Sequence, residues 1–152
     1  MSSQLPLWRI LVVDDNPADV ALLSLALEFA GLNFRLVVLD DGAEAVSYIK
    51  RQGKYADTPC PDLVVIDRVL PKHDGLEILT AIHSSEHMRQ VPTVLMTSYL
   101  SDDPALAALS IDRQIVKPCD LNAFLKIGVA LKDILEAKTR RVSKMSAGRA
   151  PS

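Results

Sequence analysis

Residues 8–17 read Trp8-Arg9-Ile10-Leu11-Val12-Val13-Asp14-Asp15-Asn16-Pro17. Through Val13 the run is apolar and rich in β-branched residues, with no polar face, which is how a strand covered on both sides of a parallel sheet reads. The run stops on two acids. Asn16 then supplies a side-chain oxygen for a helix N-terminus, and Pro17 stands at the first helical position, where a missing N–H costs nothing. A strand that ends on carboxylates and turns at once into a helix is one half of a βαβ unit.

The same sentence structure recurs along the chain. Apolar runs at residues 34–39, 63–66, 91–96 and 114–116 alternate with segments of helical period. Asp41 with Glu44 three residues later forms a capping box for the second helix. The third helix is expected to begin near Gly75 and end around His83 or His87. Asp103 before Pro104 opens the fourth, and Asp120 caps the fifth. Gly31 closes the first helix where a left-handed residue is wanted. Five βα units in strict alternation predict an open, doubly wound α/β domain with a five-stranded parallel sheet. Residues 51–61 make a long connection for such a fold.

Length and composition agree with this. At 152 residues the chain has room for one domain. Hydrophobic residues make up 49% and charged residues 24%, a globular rather than a disordered balance. No segment approaches the roughly 20 apolar residues of a membrane span, and residues 1–8 lack the basic and apolar regions of a signal peptide. Two cysteines, Cys60 and Cys119, are too few for a disulfide framework, so a cytoplasmic setting is expected. The net charge of −2 is unevenly spread. Lys138, Arg140, Arg141, Lys144 and Arg149 fall in a Ser/Ala-rich stretch without acids, which reads as a frayed basic tail over 138–152. The body, 1–137, is therefore acidic and repels a phosphate backbone, arguing against nucleic acid.

The positions of the polar residues carry the chemistry. Asp14 and Asp15 follow the first strand, Asp67 the third, Thr97 the fourth and Lys117 the fifth. Side chains just beyond the carboxyl ends of parallel strands converge on one edge, where ligands bind. With strand order 2-1-3-4-5, strands 1 and 3 are neighbours, so the three acids meet, with Thr97 and Lys117 opposite. Like charges at about 5 Å and an effective dielectric near 20 repel by roughly 3 kcal/mol per pair. Such a cluster persists when a cation neutralises it. Oxygen donors without Cys or His point to Mg²⁺ rather than zinc, and Mg²⁺ keeps sites for phosphate oxygens. Asp67 can then attack phosphorus in line while Thr97 and Lys117 hold the phosphoryl oxygens. No Gly-x-x-x-x-Gly-Lys-[Ser/Thr] or Gly-x-Gly-x-x-Gly is present, which disfavours nucleotide-triphosphate and dinucleotide sites. His83 and His87 share a helical spacing but find no third metal ligand in the sequence.

Ile10 to Pro17, Pro61 to Asp67, Leu70-Pro71 with Asp74-Gly75, Val94 to Ser98 and Val116-Lys117-Pro118 together resemble the receiver domain of two-component response regulators, over about residues 8–137. The resemblance implies a flavodoxin-like (βα)5 fold of order 2-1-3-4-5 and a phosphoacceptor role for Asp67. It also implies Mg²⁺ ligation by Asp15, Asp67 and the Val69 carbonyl, with Asp14 acting through water, and phosphoryl contacts from Thr97 and Lys117. The spacer around Gly53 to Pro61 is similar to that of stand-alone regulators that accompany bacterial phytochromes. The implied partner is a sensor histidine kinase, of which a bacteriophytochrome is one kind, and the implied role is a phosphoacceptor switch rather than an enzyme. Gln114 stands where the family has Tyr or Phe. That departure leaves an alternative, a pseudo-receiver binding module whose output does not depend on phosphorylation. An Asp-nucleophile phosphatase fits less well, because the residues two beyond Asp14 and Asp67 are Asn16 and Val69. Val69 and Tyr99 offer no charge to orient water, so slow self-hydrolysis is expected. In the last helix Ile127, Leu131 and Ile134 form a second apolar stripe, which reads either as the edge of a broad core face or as a homodimer surface; a homodimer through it is the hypothesis to be tested.

Overall fold

The computed structural model describes residues 6–68, 70, 75–98, 104, 109, 111 and 113–148. Five parallel strands run in the order β2-β1-β3-β4-β5: β1 (Trp8–Val13), β2 (Phe34–Leu39), β3 (Leu63–Asp67), β4 (Thr93–Thr97) and β5 (Arg113–Val116). The described helices are α1 (Pro17–Phe29), α2 (Gly42–Ile49), α3 (Gly75–Ser84) and α4 (Leu121–Gly148), with a 3-10 turn at Gly53–Tyr55. The expected helix after Asp103 falls largely outside the described residues, as do Val69, Pro71, Asp74 and Tyr99.

The caps form as their side chains dictate. Asn16 Oδ1 accepts from the Ala18 N–H at 3.0 Å and the Asp19 N–H at 3.4 Å. Gly31, at φ 79°, closes α1 with a Schellman pair: its N–H donates to Glu28 O, and that of Leu32 to Leu27 O. Asp41 caps α2, but the box is one-sided. The Glu44 carboxylate turns away to accept from the Tyr55 hydroxyl and pair with Lys54 at 3.1 Å.

Period-2 alternation sends successive side chains of the central strands to opposite faces, and both faces are buried. Leu11, Val13, Val64, Ile66 and Leu95 meet α2 and α3. Ile10, Val12, Leu63, Val65, Val94 and Met96 meet α1 and α4. The edge strands differ from expectation: Val38 of β2 and Val116 of β5 face solvent. On the second face α1 and α4 approach backbone to backbone. A Cβ at Gly128 would stand 2.0 Å from Ala26 O, and Lys132 Nζ donates to Ala30 O at 3.1 Å.

The last helix decides between the two readings of its second stripe. Ile127 is 5% exposed and Leu131 is fully buried against the sheet, and Ile134 packs partly buried on the same cluster. Of the two readings the core face holds: the stripe is its edge, broadened because α4 lies over both α1 and the sheet. The helix also continues to Gly148, so a boundary at 137/138 falls inside it and the backbone of the basic stretch is helical that far. Propagating a formed helix needs one hydrogen bond per residue, and no Gly or Pro intervenes between Gly128 and Gly148. Lys138 adds an ion pair to Asp62 at 3.6 Å.

Candidate functional site

The carboxyl edge of the sheet collects the functional side chains. Val13 of β1 is in register with Ile66 of β3, so the next residues, Asp14 and Asp67, stand side by side. Asp67 is in register with Met96 of β4, and Thr97 with Val116 of β5. The Lys117 N–H donates to Thr97 O at 2.8 Å, which carries β5 pairing to the lysine. Asp14, Asp67 and Thr97 are all buried, at 6%, 8% and 3% exposure. Gly75 permits the close return of the chain behind Asp67, since a Cβ there would lie 2.9 Å from Arg68 Cα and 3.1 Å from Asp67 O.

Lys117 Nζ donates to Asp67 Oδ2 at 2.9 Å and to Asp19 Oδ2 at 2.7 Å, and lies 3.8 Å from Asp14 Oδ2. Burial alone would lower the lysine pKa. The hydrogen bonds to Asp19 and Asp67, with the charges of Asp14 and Asp67, more than offset this and hold it above its ordinary value. Asp14 shows the opposite balance. Desolvation pushes its carboxyl up to about 6, against the lowering effects of the Asn16 N–H and Lys117, and repulsion from Asp67 and Asp19 adds to the rise. The Asn16 N–H donates to Asp14 Oδ1 at 2.8 Å and fixes that carboxylate inward.

The structure thus brings together Asp14, Asp67 and Lys117 from three strand ends, with Thr97 buried at the fourth. Asp15 stands apart from the inward-facing acids. It is exposed, and the acids whose oxygens lie within 4.8 Å of one another among the described residues are Asp14, Asp19 and Asp67. Alternation at the strand end turns Asp15 outward once Asp14 points in. With Asp14 it lines a cleft of about 380 Å³ between α1 and β2, shared with Val20, Leu36 and Val38. Asp19 was not expected. Its signal was its place in the first turn of α1, where the Cβ leans toward the helix N-terminus and returns the carboxylate to the strand tips.

The acid triad with its oxygen donors can hold a metal ion. The Val69 carbonyl lies outside the described residues. Gln114 sits half-buried in β5, in register with Leu95. His83 is exposed in the last turn of α3 and His87 lies beyond that helix, so the two do not share a helical face. A larger cleft of about 720 Å³ between α2 and α3 shares no residue with the acid cluster. Among the described residues, no helix is long and apolar enough to cross a membrane.

Residues 10–127 match the response regulator receiver domain family. The response regulator Rcp1 of Synechocystis sp. is 30% identical, over 84% of this chain and 81% of its own length. The phosphorylated cyanobacterial phytochrome response regulator RcpA superposes with a TM-score of 0.78 at 30% identity, covering 86% of this chain and 94% of that one. The Mn²⁺-bound form of Rcp1 gives 0.74 at 29%, with 82% and 91% covered.

Proposed function

Because this chain belongs to the response regulator receiver domain family, we propose that it accepts a phosphoryl group on Asp67 from the phosphohistidine of a sensor histidine kinase and signals through protein–protein contacts. The observation that carries this reading is the Asp67 carboxylate held 2.9 Å from the Lys117 ammonium at the sheet's carboxyl edge, beside Asp14. A carboxylate oxygen of Asp67 forms the new bond to phosphorus. The phosphorus–nitrogen bond of the donor breaks, and its electron pair returns to the imidazole. Lys117 and the Thr97 hydroxyl take the charge of the phosphoryl oxygens, and strand burial excludes bulk water from the acceptor. Asp14 and Asp67 would hold Mg²⁺, with the Asp15 carboxylate and the Val69 carbonyl as further donors. The bound ion supplies positive charge against which a phosphoryl group and a carboxylate can approach.

That RcpA is a phytochrome response regulator supports a bacteriophytochrome-type kinase as the donor, and the reading places the exchange in the cytoplasm. The switch works as a phosphoacceptor, with no substrate turnover of its own. Its output is the bias that the acyl phosphate places on a two-state domain. Incubation with Mg²⁺ and acetyl phosphate, followed by intact-mass measurement, tests the assignment: one phosphoryl group adds to the wild type and none to Asp67→Asn, whose circular dichroism is unchanged. Incorporation surviving that substitution refutes it.

A further inference from the structure

Asp19 reaches Lys117 across 98 residues of sequence, from the first turn of α1 to the end of β5, at 2.7 Å. That contact is shorter than the one Lys117 makes with the acceptor, and both side chains are largely shielded, at 19% and 21% exposure. We infer that Asp19 is a positioning residue for Lys117, holding the ammonium on the α1 side of Asp67 and opposing, by its own charge, retention of the phosphoryl group. The inference rests on reading Asp67 as the phosphoacceptor.

The charge balance gives the direction. Asp14, Asp19 and Asp67 all approach one ammonium, that of Lys117. A divalent cation in this cluster is attracted by each carboxylate, so in the unphosphorylated protein Asp19 favours the metal. A phosphoryl group on Asp67 brings additional negative charge into the same space. It needs Lys117 for itself, and Asp19 then competes for the lysine and repels the new oxygens. Asp19 therefore acts with opposite sign on the two ligands. A purely structural acid in the first turn of a helix, favoured by the helix dipole, would have no such split.

The test uses the full chain and its Asp19→Asn variant. Calorimetric titration with MgCl₂ reads the metal alone. Titration with beryllofluoride at saturating Mg²⁺, followed by amide resonances, reads the phosphoryl mimic. Asp19→Asn is expected to weaken Mg²⁺ binding about five- to tenfold and to tighten beryllofluoride binding about three- to tenfold, as for one unit charge a few ångströms away under partial screening. Asp19→Glu moves both constants back toward wild type. In selectively labelled metal-free protein the Lys117 Nζ resonance shifts with Asp19→Asn. Constants that move together, or that do not move, overturn the positioning role. Failure of the wild type itself to bind beryllofluoride overturns instead the phosphoacceptor reading beneath it.

Discussion

Removing the charge of Asp14 should make the metal-free protein more stable, although Asp14 lies at the centre of its site. The carboxyl is pushed up to about 6 from an ordinary 3.8, chiefly by desolvation. A folded-state pKa above the unfolded one means that the fold binds the proton more tightly. Stability is then undiminished below the unfolded value and falls as pH rises through the interval up to the folded value. Above it the loss is complete, about 3 kcal/mol for a gap of this size. Asp14→Asn carries no such loss, and its side-chain oxygen can still accept from the Asn16 N–H. In chelator at pH 7.5 the variant should gain about 2–3 kcal/mol in urea unfolding, or about 4–12 °C in melting temperature for a chain of this size. At pH 4.5 the difference should shrink to about 1 kcal/mol. Saturating Mg²⁺ should close the gap at pH 7.5, because the wild type then gains ligand-linked stability that the variant gains less of. A variant no more stable than wild type at pH 7.5, or one whose advantage is the same at both pH values, would refute the reasoning.

Two packing predictions follow from the α1–α4 face. Gly128→Ala places a methyl 2.0 Å from Ala26 O; overpacking of about 2–3 kcal/mol, less the ~1 kcal/mol helix gain over glycine, leaves about 1–2 kcal/mol of destabilisation, readable by urea melts. Ile127→Asp buries a carboxylate in the α4 core face, where Ile127 is only 5% exposed, and should unfold the chain rather than separate two copies. A folded Ile127→Asp variant that sediments as a monomer beside a dimeric wild type would restore the interface reading.

Most of the fold was legible because each layer of the argument pointed the same way. The 8–13, 34–39 and 63–66 runs became strands within a residue, since β-branched content, turn residues and caps all agreed. The fourth strand begins at Thr93 rather than residue 91. There Pro92 lacks the N–H a central ladder requires, and apolar character alone did not register that. The α4 stripe stayed open between two readings for a related reason. Periodicity reports which residues share a face, but Ile127 and Leu131 needed the neighbouring α1, brought close by Gly128 and Ala26, before their face could be recognised as interior.

The site shows where a one-dimensional pattern stops being sufficient. Strand ends predicted that carboxylates meet, and Asp14, Asp67 and Lys117 do, because register follows from the parallel ladder. Of the pair Asp14-Asp15, though, only one can point inward, and the choice is made by the Asn16 N–H capturing Asp14 Oδ1. The same residue caps α1 with its side chain and so sets the angle at which Asp19 comes back over the strand tips. One asparagine thereby orients two carboxylates toward Lys117, from opposite sides of itself in sequence. Of the acids around the lysine, Asp14 belongs to the strand-end motif and Asp19 to the helix turn, and only the first was visible in the pattern of strand ends.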